Sequence, residues 1–220
     1  ITAEWDKYKD RIPTSDGLVA YYPFSGNAND ASGNGNDGTV NGATLTTDRF
    51  GNGNSAYIFD GSGDYIDIGT DLVFPELTLS AWVFYENTNI GGIITKHTDG
   101  GTTAEKSYLL GINPSTKALW CRIYGTTNII DVEATSSVII NTCFFVSVTF
   151  SNGHAKLYID GVLVDESLQN ISIQNTSTAT IIGNNASSDH DTQGKIDDVR
   201  IYNHALSASE IDSLYHIGGW

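Results

Sequence analysis

A loop rich in oxygen-bearing side chains follows the first strand-like segment of this chain. Residues 27–38 read Asn-Ala-Asn-Asp-Ala-Ser-Gly-Asn-Gly-Asn-Asp-Gly, directly after the mostly apolar run 18–24. Within the loop, oxygen donors occupy alternate positions: Asp30, Ser32, Asn34 and Asn36. This is the ligand spacing of the first half of a calcium loop, so it predicts a structural Ca²⁺ site. A solvated loop of Asx turns without a metal is the alternative.

The loop by itself supplies only part of a calcium site. If Asp30 is the first ligand of an EF-hand, the twelfth is Asn41, where a bidentate glutamate is required. A strand-like segment also follows the loop, instead of a helix. Further ligands must therefore come from elsewhere in the chain, and an oxygen-only set would select calcium over zinc or copper.

A second group of residues has the chemistry of a sugar-binding site. Trp120, Arg122 and Tyr124 alternate along the predicted strand 118–124 and therefore share one face. An aromatic plane flanked by planar polar groups is what recognition of a sugar requires. Three further candidates lie on strands that could be neighbours: Lys96, His97 and Tyr108. We predict a glycan or glycoconjugate ligand for these six residues.

The same face also has a purely structural interpretation. Trp120 could be covered by a loop, and Arg122 could pair with Asp131 or Glu133. Trp82 lies inside the apolar segment 79–84 and is expected in the core.

No catalytic arrangement stands out in the sequence. Asp131-Val-Glu133 places two carboxylates on one face of a strand, but no third acid lies close to them in the sequence. The five histidines are scattered, and no serine nucleophile motif occurs. The sequence therefore predicts a protein that is not an enzyme.

Composition narrows the classes of partner and compartment. The 220 residues include 11 basic and 26 acidic ones, and a net charge of −15 argues against nucleic acid. No apolar run reaches the ~20 residues of a membrane-spanning helix. Because methionine and a signal peptide are absent, we expect a processed or excised chain. Cys121 and Cys143 could form a disulfide or remain thiols, and the apolar face around Cys121 favours a core thiol there.

The elements that must position these residues are mostly short strands. From residue 18 onward, runs rich in Val, Ile, Thr, Tyr and Phe alternate with clusters of Gly, Asn, Asp and Ser, which is typical of an all-β sandwich or jelly roll. The predicted strands are 18–24, 56–59, 65–68, 77–85, 92–97, 107–112, 118–124, 129–133, 144–150, 155–159, 162–166, 179–183 and 195–202. Asp160-Gly161 predicts a tight hairpin. Ser207-Ala-Ser-Glu210 is a capping box that predicts one short C-terminal helix.

Several segments together resemble the LamG-like jelly-roll family of the concanavalin A-like lectin/glucanase superfamily. They are Gly17-Leu-Val-Ala-Tyr-Tyr-Pro-Phe24, Phe59-Asp-Gly-Ser-Gly-Asp-Tyr65, Leu79-Ser-Ala-Trp-Val83, Leu157-Tyr-Ile-Asp-Gly-Val162, Ile196-Asp-Asp-Val-Arg-Ile-Tyr-Asn203 and Ala205-Leu-Ser-Ala-Ser-Glu-Ile211. The resemblance covers about residues 17–215 and implies a two-sheet antiparallel jelly roll whose first and last strands are neighbours. That pairing would bring Asp197 and Asp198 to the loop at 27–38 as the missing calcium ligands.

The sequence thus predicts an N-terminal extension or linker over residues 1–16 and a LamG-like domain over residues 17–220. We expect a monomeric, non-catalytic, lectin-like carbohydrate-binding module with a structural Ca²⁺, from a secreted or cell-surface protein. A protein-interaction or adhesion module of the same fold is the alternative. A glycoside hydrolase is the least favoured function.

Overall fold

Two antiparallel β-sheets stack face to face in the computed structural model, which describes residues 16–87, 91–98, 105–184 and 191–218. The strands are β1 (Leu18–Tyr22), β2 (Thr39–Asn41), β3 (Thr44–Thr46), β4 (Ala56–Asp60), β5 (Tyr65–Asp67), β6 (Leu77–Tyr85), β7 (Gly92–His97), β8 (Lys106–Ile112), β9 (Ala118–Tyr124), β10 (Ile129–Ser137), β11 (Cys143–Ser151), β12 (His154–Ile159), β13 (Val162–Leu168), β14 (Ile181–Ile182) and β15 (Gln193–Tyr202). A helix, α1 (Ala208–Tyr215), follows the last strand. This confirms the predicted all-β sandwich with a short C-terminal helix.

The order of the strands is that of a jelly roll. Sheet A has eight strands in the order β13-β12-β11-β6-β15-β4-β3, with β1 also paired to β15. Sheet B has seven strands in the order β10-β9-β8-β7-β14-β5-β2. The first and last strands are antiparallel neighbours, with Tyr21 opposite Arg200 and Tyr22 opposite Val199. The resemblance implied this pairing, and the structure confirms it.

The main core lies between the two sheets and follows the alternation of the strands. On β9, Leu119, Cys121 and Ile123 are buried in it, as predicted. On β11, Val146 and Val148 point into the same core. Burying an aliphatic side chain of this size contributes roughly 1.5–3 kcal/mol to the free energy of folding. Because alternate residues of a strand share a face, the face that carries these side chains becomes the internal one.

A second, smaller core lies between the outer face of sheet A and α1. Trp82 and Phe145 contribute from the sheet, while Ile211 and Leu214 contribute from the helix. The indole of Trp82 stacks on the ring of Tyr215 with centroids 5.7 Å apart. Trp82 is therefore buried as expected, but under the helix instead of between the sheets.

Local turn chemistry fixes the start of α1 and the hairpin that contacts it. The capping box is present, because the Ser207 hydroxyl accepts from the Glu210 amide and the Glu210 carboxylate accepts from the Ser207 amide. The hairpin at Asp160-Gly161 joins β12 and β13, with φ angles of 49° and 77° that suit a type I′ turn. Gly161 lies close to Asp212 of α1, so the hairpin tip contacts the helix.

Some details differ from the predictions or lie outside the described residues. Strands β2 and β3 were not predicted, since three residues are too few to show a period of two. Cys121 and Cys143 are both free thiols. Residues 1–15 lie outside the described part, so the linker remains a prediction. Among the described residues, none of the helical structure is long and apolar enough to cross a bilayer.

Candidate functional site

The outer face of β9 carries a cluster of aromatic and charged side chains. Trp120 and Arg122 are half-buried on this face, and Tyr124 is almost fully buried. The Arg122 guanidinium lies 4.7 Å from the Trp120 ring centroid and 5.9 Å from that of Tyr124. Each distance is within the range of a cation–π contact. We call Trp120, Arg122, Tyr124 and Asp131 the β9 platform.

Asp131 on the neighbouring strand β10 holds the β9 platform in place. Its Oδ1 accepts hydrogen bonds from Arg122 Nε at 2.6 Å and from Trp120 Nε1 at 3.1 Å, and its Oδ2 accepts from Arg122 Nη2 at 2.8 Å. The bond to Asp131 raises the pKa of Arg122, more than burial lowers it, so the guanidinium is permanently charged. The expected alternative, pairing of Arg122 with Asp131, is therefore present, yet it leaves the aromatic and planar polar groups partly exposed.

The structure brings only one of the three additional candidates to this face. The His97 ring lies 5.5 Å from the Tyr124 ring.

Lys96 and Tyr108 face each other across β7 and β8 and point into the sandwich, opposite to the expectation. The Tyr108 hydroxyl donates to Leu72 O at 2.7 Å. Lys96 Nζ donates to the carbonyl of Thr70 at 2.6 Å, and burial lowers its pKa to about 8. The prediction that Lys96 and Tyr108 share the outer face with Trp120 is therefore wrong. The register between neighbouring strands decides which of their residues lie on the same face, and the sequence of one strand does not show it.

The loop at 27–38 lies along the edge of β1 that faces away from β15. Tyr21 N donates to Asp30 Oδ1 at 3.0 Å, and Ser32 Oγ donates to Val19 O at 3.0 Å. In an antiparallel strand the backbone N–H and C=O groups of alternate residues point to opposite edges. The backbone groups of Val19 and Tyr21 therefore form hydrogen bonds with the loop, while those of their neighbours form hydrogen bonds with β15.

Inside this loop the side chains of Ser32, Asn34 and Asn36 lie close to the Val19 carbonyl. Ser32 Oγ is 2.8 Å from Asp30 Oδ2, and the amide nitrogens of Asn34 and Asn36 lie 3.1 and 2.9 Å from Val19 O. Burial alone would raise the pKa of Asp30, but hydrogen bonds from Ser32, Tyr21 and Asn36 lower it below its usual value. Asp30 is thus an ionised carboxylate at the centre of the loop.

Asp197 and Asp198 do not join this loop. The loop and β15 flank β1 on opposite edges, about 10 Å apart at two strand spacings. Both carboxylates instead bind Arg49, with Nη1 at 2.6 Å from Asp197 Oδ2 and Nη2 at 3.3 Å from Asp198 Oδ2. Arg200 Nη1 is 2.9 Å from the same Asp198 oxygen. The two arginines relieve the electrostatic repulsion between the adjacent carboxylates of Asp197 and Asp198.

A β-bulge explains how two consecutive residues reach the same arginine. Neighbouring residues of a strand normally point to opposite faces. Asp198 has a φ of 54°, and the pairing of β15 with β6 shifts register between Asp197 and Arg200. The bulge turns both carboxylates to the outer side of sheet A. Aspartate tolerates this left-handed conformation better than most residues do.

Burial and the two arginines act differently on the two acids. Burial raises the pKa of Asp197 to about 7, although Arg49 opposes the rise. Burial would also raise the pKa of Asp198, but Arg200 and Arg49 together lower it. Arg49 was not identified from the sequence, because it lies 148 residues from Asp197 in a loop without a recognisable motif.

Comparisons with known proteins agree with this architecture. A family model described as the concanavalin A-like lectin/glucanases superfamily matches residues 60–212. No curated protein matches the chain significantly. A similar solved structure is domain 4 of AbnA, a GH43 extracellular arabinanase from Geobacillus stearothermophilus, in complex with arabinotriose. It is 22% identical with a TM-score of 0.72, covering 90% of this chain and 98% of that chain.

Two further structures are similar over about half of their own length. The binding domain of Paraclostridial Mosquitocidal Protein 1 is 18% identical with a TM-score of 0.74, covering 92% of this chain and 52% of that chain. The ligand binding domain of botulinum neurotoxin serotype D, in complex with N-acetylneuraminic acid, is 19% identical with a TM-score of 0.69, covering 93% and 52%. At these identities the likeness shows a shared fold alone.

Proposed function

This chain belongs to the concanavalin A-like lectin/glucanase superfamily, and we propose that it is a non-catalytic carbohydrate-binding module. The observation that supports this best is the β9 platform, where a half-exposed indole lies beside a guanidinium and a carboxylate. The C–H face of a sugar ring packs on an aromatic plane, while its hydroxyls bind planar polar groups. Two structures of the same fold contain a sugar ligand, arabinotriose in one and N-acetylneuraminic acid in the other.

The hydrogen bonds of Asp131 favour this function because they fix the platform in advance. The Trp120 indole and the Arg122 guanidinium are both tied to one carboxylate, so neither must be ordered when a ligand arrives. Immobilising such side chains otherwise costs about 0.5–1.5 kcal/mol each on binding.

A glycan array with wild-type protein and Trp120→Ala tests the proposal. We expect the wild type to bind at least one glycan class and Trp120→Ala to bind it at least about tenfold more weakly, because the stacking surface is removed. Tyr65→Ala is a matched control, since Tyr65 is another partly exposed aromatic residue on sheet B. Equal binding by wild type and Trp120→Ala would reject the platform as the site, and no binding by a folded wild type would reject the function.

The non-catalytic part of the proposal is supported by the acids near the platform. Asp131 is engaged by Arg122 and Trp120, and Glu133 binds Asn113 and Thr116. A glycosidase needs one carboxyl group as an acid and another free to attack or to activate water. Release of reducing ends from any glycan bound on the array would contradict this part.

We also propose that Ca²⁺ binds the loop at 27–38. Asp30, Ser32 and the Val19 carbonyl already converge there, and rotating the amides of Asn34 and Asn36 would turn two more oxygens inward. A set of carboxylate, hydroxyl, amide and backbone oxygens suits this cation. Asp197 and Asp198 are not part of the proposed site.

A protein-interaction module is the second candidate, because apolar side chains are exposed near the Asp160 hairpin. Ile139 is 72% exposed and Val162 is 65% exposed. A contiguous exposed apolar patch is a feature of protein-interaction sites. Double substitution with serine at both positions would abolish binding to a protein receptor and leave glycan binding unchanged.

For either function we propose a secreted or cell-surface parent protein, and fractionation of the native source would test this.

A further inference from the structure

The exposed edge of the Arg122–Asp131 pair carries hydrogen-bonding groups that the β9 platform does not use internally. The pair is bidentate, with Nε 2.6 Å from Oδ1 and Nη2 2.8 Å from Oδ2. The side chain of Arg122 is 32% exposed and that of Asp131 is 46% exposed. A ligand can therefore reach this pair, in contrast to the buried ion pairs of Arg49 and Arg200.

The guanidinium of Arg122 keeps hydrogen-bond donors for a ligand. An arginine side chain has five N–H donors. Asp131 takes two of them, one on Nε and one on Nη2, and a hydrogen bond to Tyr124 takes a third. Two N–H groups on the terminal nitrogens remain, and none of the described residues accepts a hydrogen bond from them.

The carboxylate of Asp131 keeps an acceptor position beside these donors. Its two oxygens together offer about four acceptor positions. Oδ1 accepts from Arg122 Nε and from Trp120 Nε1, whereas Oδ2 accepts only from Arg122 Nη2. Because Nη2 and Oδ2 are 2.8 Å apart, the remaining donors and the remaining acceptor lie side by side, next to the indole of Trp120.

A ligand that satisfies this edge must accept and donate hydrogen bonds at adjacent atoms. A carboxylate only accepts and is repelled by Asp131, while an ammonium group only donates and is repelled by Arg122. A hydroxyl group does both. Two hydroxyls on neighbouring carbons of a sugar ring, a vicinal diol, are about as far apart as two hydrogen-bonded atoms. One of them can therefore accept from Arg122 while the other donates to Asp131.

We infer that the exposed edge of the Arg122–Asp131 pair selects neutral sugars with a free vicinal diol. This rests on the proposed glycan-binding function and names the class of glycan that the β9 platform takes. The net charge of −15 acts in the same direction, since it repels acidic glycans. The apolar face of the same sugar ring packs on the neighbouring indole of Trp120.

Asp131→Asn tests the selection by charge. The array carries neutral glycans beside counterparts that end in a uronic or sialic acid, and the wild type should bind the neutral ones at least about tenfold more tightly. The variant removes the charged acceptor and leaves the charge of Arg122 unopposed. Binding of neutral glycans should therefore fall about tenfold and that of acidic glycans should rise, so that the preference reverses.

Glu133→Gln is the matched control. Glu133 lies on the same face of β10 as Asp131, opposite Trp120, and the substitution removes the same charge. Both of its oxygens already accept hydrogen bonds, from Asn113 and Thr116, so this variant should keep the preference of the wild type. Because the Arg122–Asp131 pair is partly exposed, we expect Asp131→Asn to fold, and circular dichroism checks this.

Periodate oxidation of the array is a second test and uses the unchanged protein. Mild periodate followed by borohydride cleaves the carbon–carbon bond of a vicinal diol and leaves isolated hydroxyls in place. Binding of the wild type to neutral glycans should be lost after this treatment. Neutral glycans with intact rings but without adjacent free hydroxyls should already bind at least about tenfold more weakly before it, which separates the diol from the stacking surface.

The outcomes separate this inference from the proposed function. Four results overturn the diol site: acidic glycans bound as tightly as neutral ones, an unchanged preference in Asp131→Asn, a reversed preference in Glu133→Gln, or binding that survives oxidation. If glycan binding is then still lost in Trp120→Ala, the proposed function stands without this selectivity. If a folded wild type binds no glycan, both are overturned.

Discussion

At the scale of single residues, Asp198 determines how the last strand is held. Its left-handed backbone directs the carboxylates of Asp197 and Asp198 to Arg49. The Asp198 carboxylate also forms an ion pair with Arg200. Arg49 also lies over the rings of Phe50 and Trp82, 4.5 Å from each centroid. The residue thus joins the β3–β4 loop, the central strand β15 and the second core.

Replacing Arg49 should strongly destabilise the protein. Arg49→Met leaves two buried carboxylates with one arginine, and breaking a buried pair in this way costs about 3–5 kcal/mol. Urea unfolding measures the loss. Arg122→Met is the control, because the Arg122–Asp131 pair is 32% and 46% exposed and such pairs contribute about 0–1 kcal/mol. Equal losses in the two variants would contradict this account of Arg49.

The pKa of Asp197 predicts a pH dependence of stability. Its pKa of about 7 in the folded protein exceeds that of the unfolded chain, so the folded state binds the extra proton between about pH 4 and pH 7. Stability is therefore lost as pH rises through this window, by up to about 4 kcal/mol for a shift of about three units.

Asp197→Asn removes this titration and tests the sign. Relative to the variant, the wild type should lose stability from pH 4 to pH 8, as measured by urea unfolding at several pH values. Asp71→Asn, at an exposed position, controls for the change in net charge. Parallel curves for the wild type and Asp197→Asn would show that Asp197 ionises in the same way in both states.

At the scale of elements, the loop at 27–38 protects the outer edge of β1. Its side chains satisfy the backbone carbonyl of Val19, and Asp30 satisfies the amide of Tyr21. An uncovered strand edge would pair with other chains. The loop covers this edge through hydrogen bonds to the backbone of β1, and a bound cation would stabilise the loop further.

The proposed calcium predicts a dependence of stability on chelator. The melting temperature should fall when EDTA is added and recover with Ca²⁺, because a ligand at 100 times its Kd stabilises by about 2.7 kcal/mol. Asp30→Asn should abolish the response, while Asp60→Asn, in another acidic loop, should keep it. Identical melting with and without EDTA, together with no calcium by elemental analysis, would reject the site.

At the scale of the whole molecule, the domain has two cores that share sheet A. The main core joins the two sheets, and the second joins sheet A to α1. Strands β6 and β11 contribute to both, with Val83 and Val146 on one face and Trp82 and Phe145 on the other. We therefore expect the sandwich and the helix to unfold together.

A substitution in the second core tests this coupling. Leu214→Ala should lower the free energy of unfolding by about 2–5 kcal/mol, as expected for a fully buried leucine. Leu163→Ala, at a 43% exposed position, should change it by less than about 0.5 kcal/mol. Loss of helix signal at lower urea than loss of the sheet signal would show that the two cores unfold separately.

The sequence by itself determined most of the longer strands, the C-terminal helix and the inward face of β9. Alternation on β9, the Asp160-Gly161 turn and the Ser207 capping box are local patterns, and each was predicted correctly. The tertiary structure alone decided which residues of different strands meet. Lys96 and Tyr108 point away from the platform, and Asp197 binds Arg49 instead of the Asp30 loop. The physical reason is that a period of two fixes a side chain relative to its own strand only, whereas register and bulges are set by pairing between distant segments.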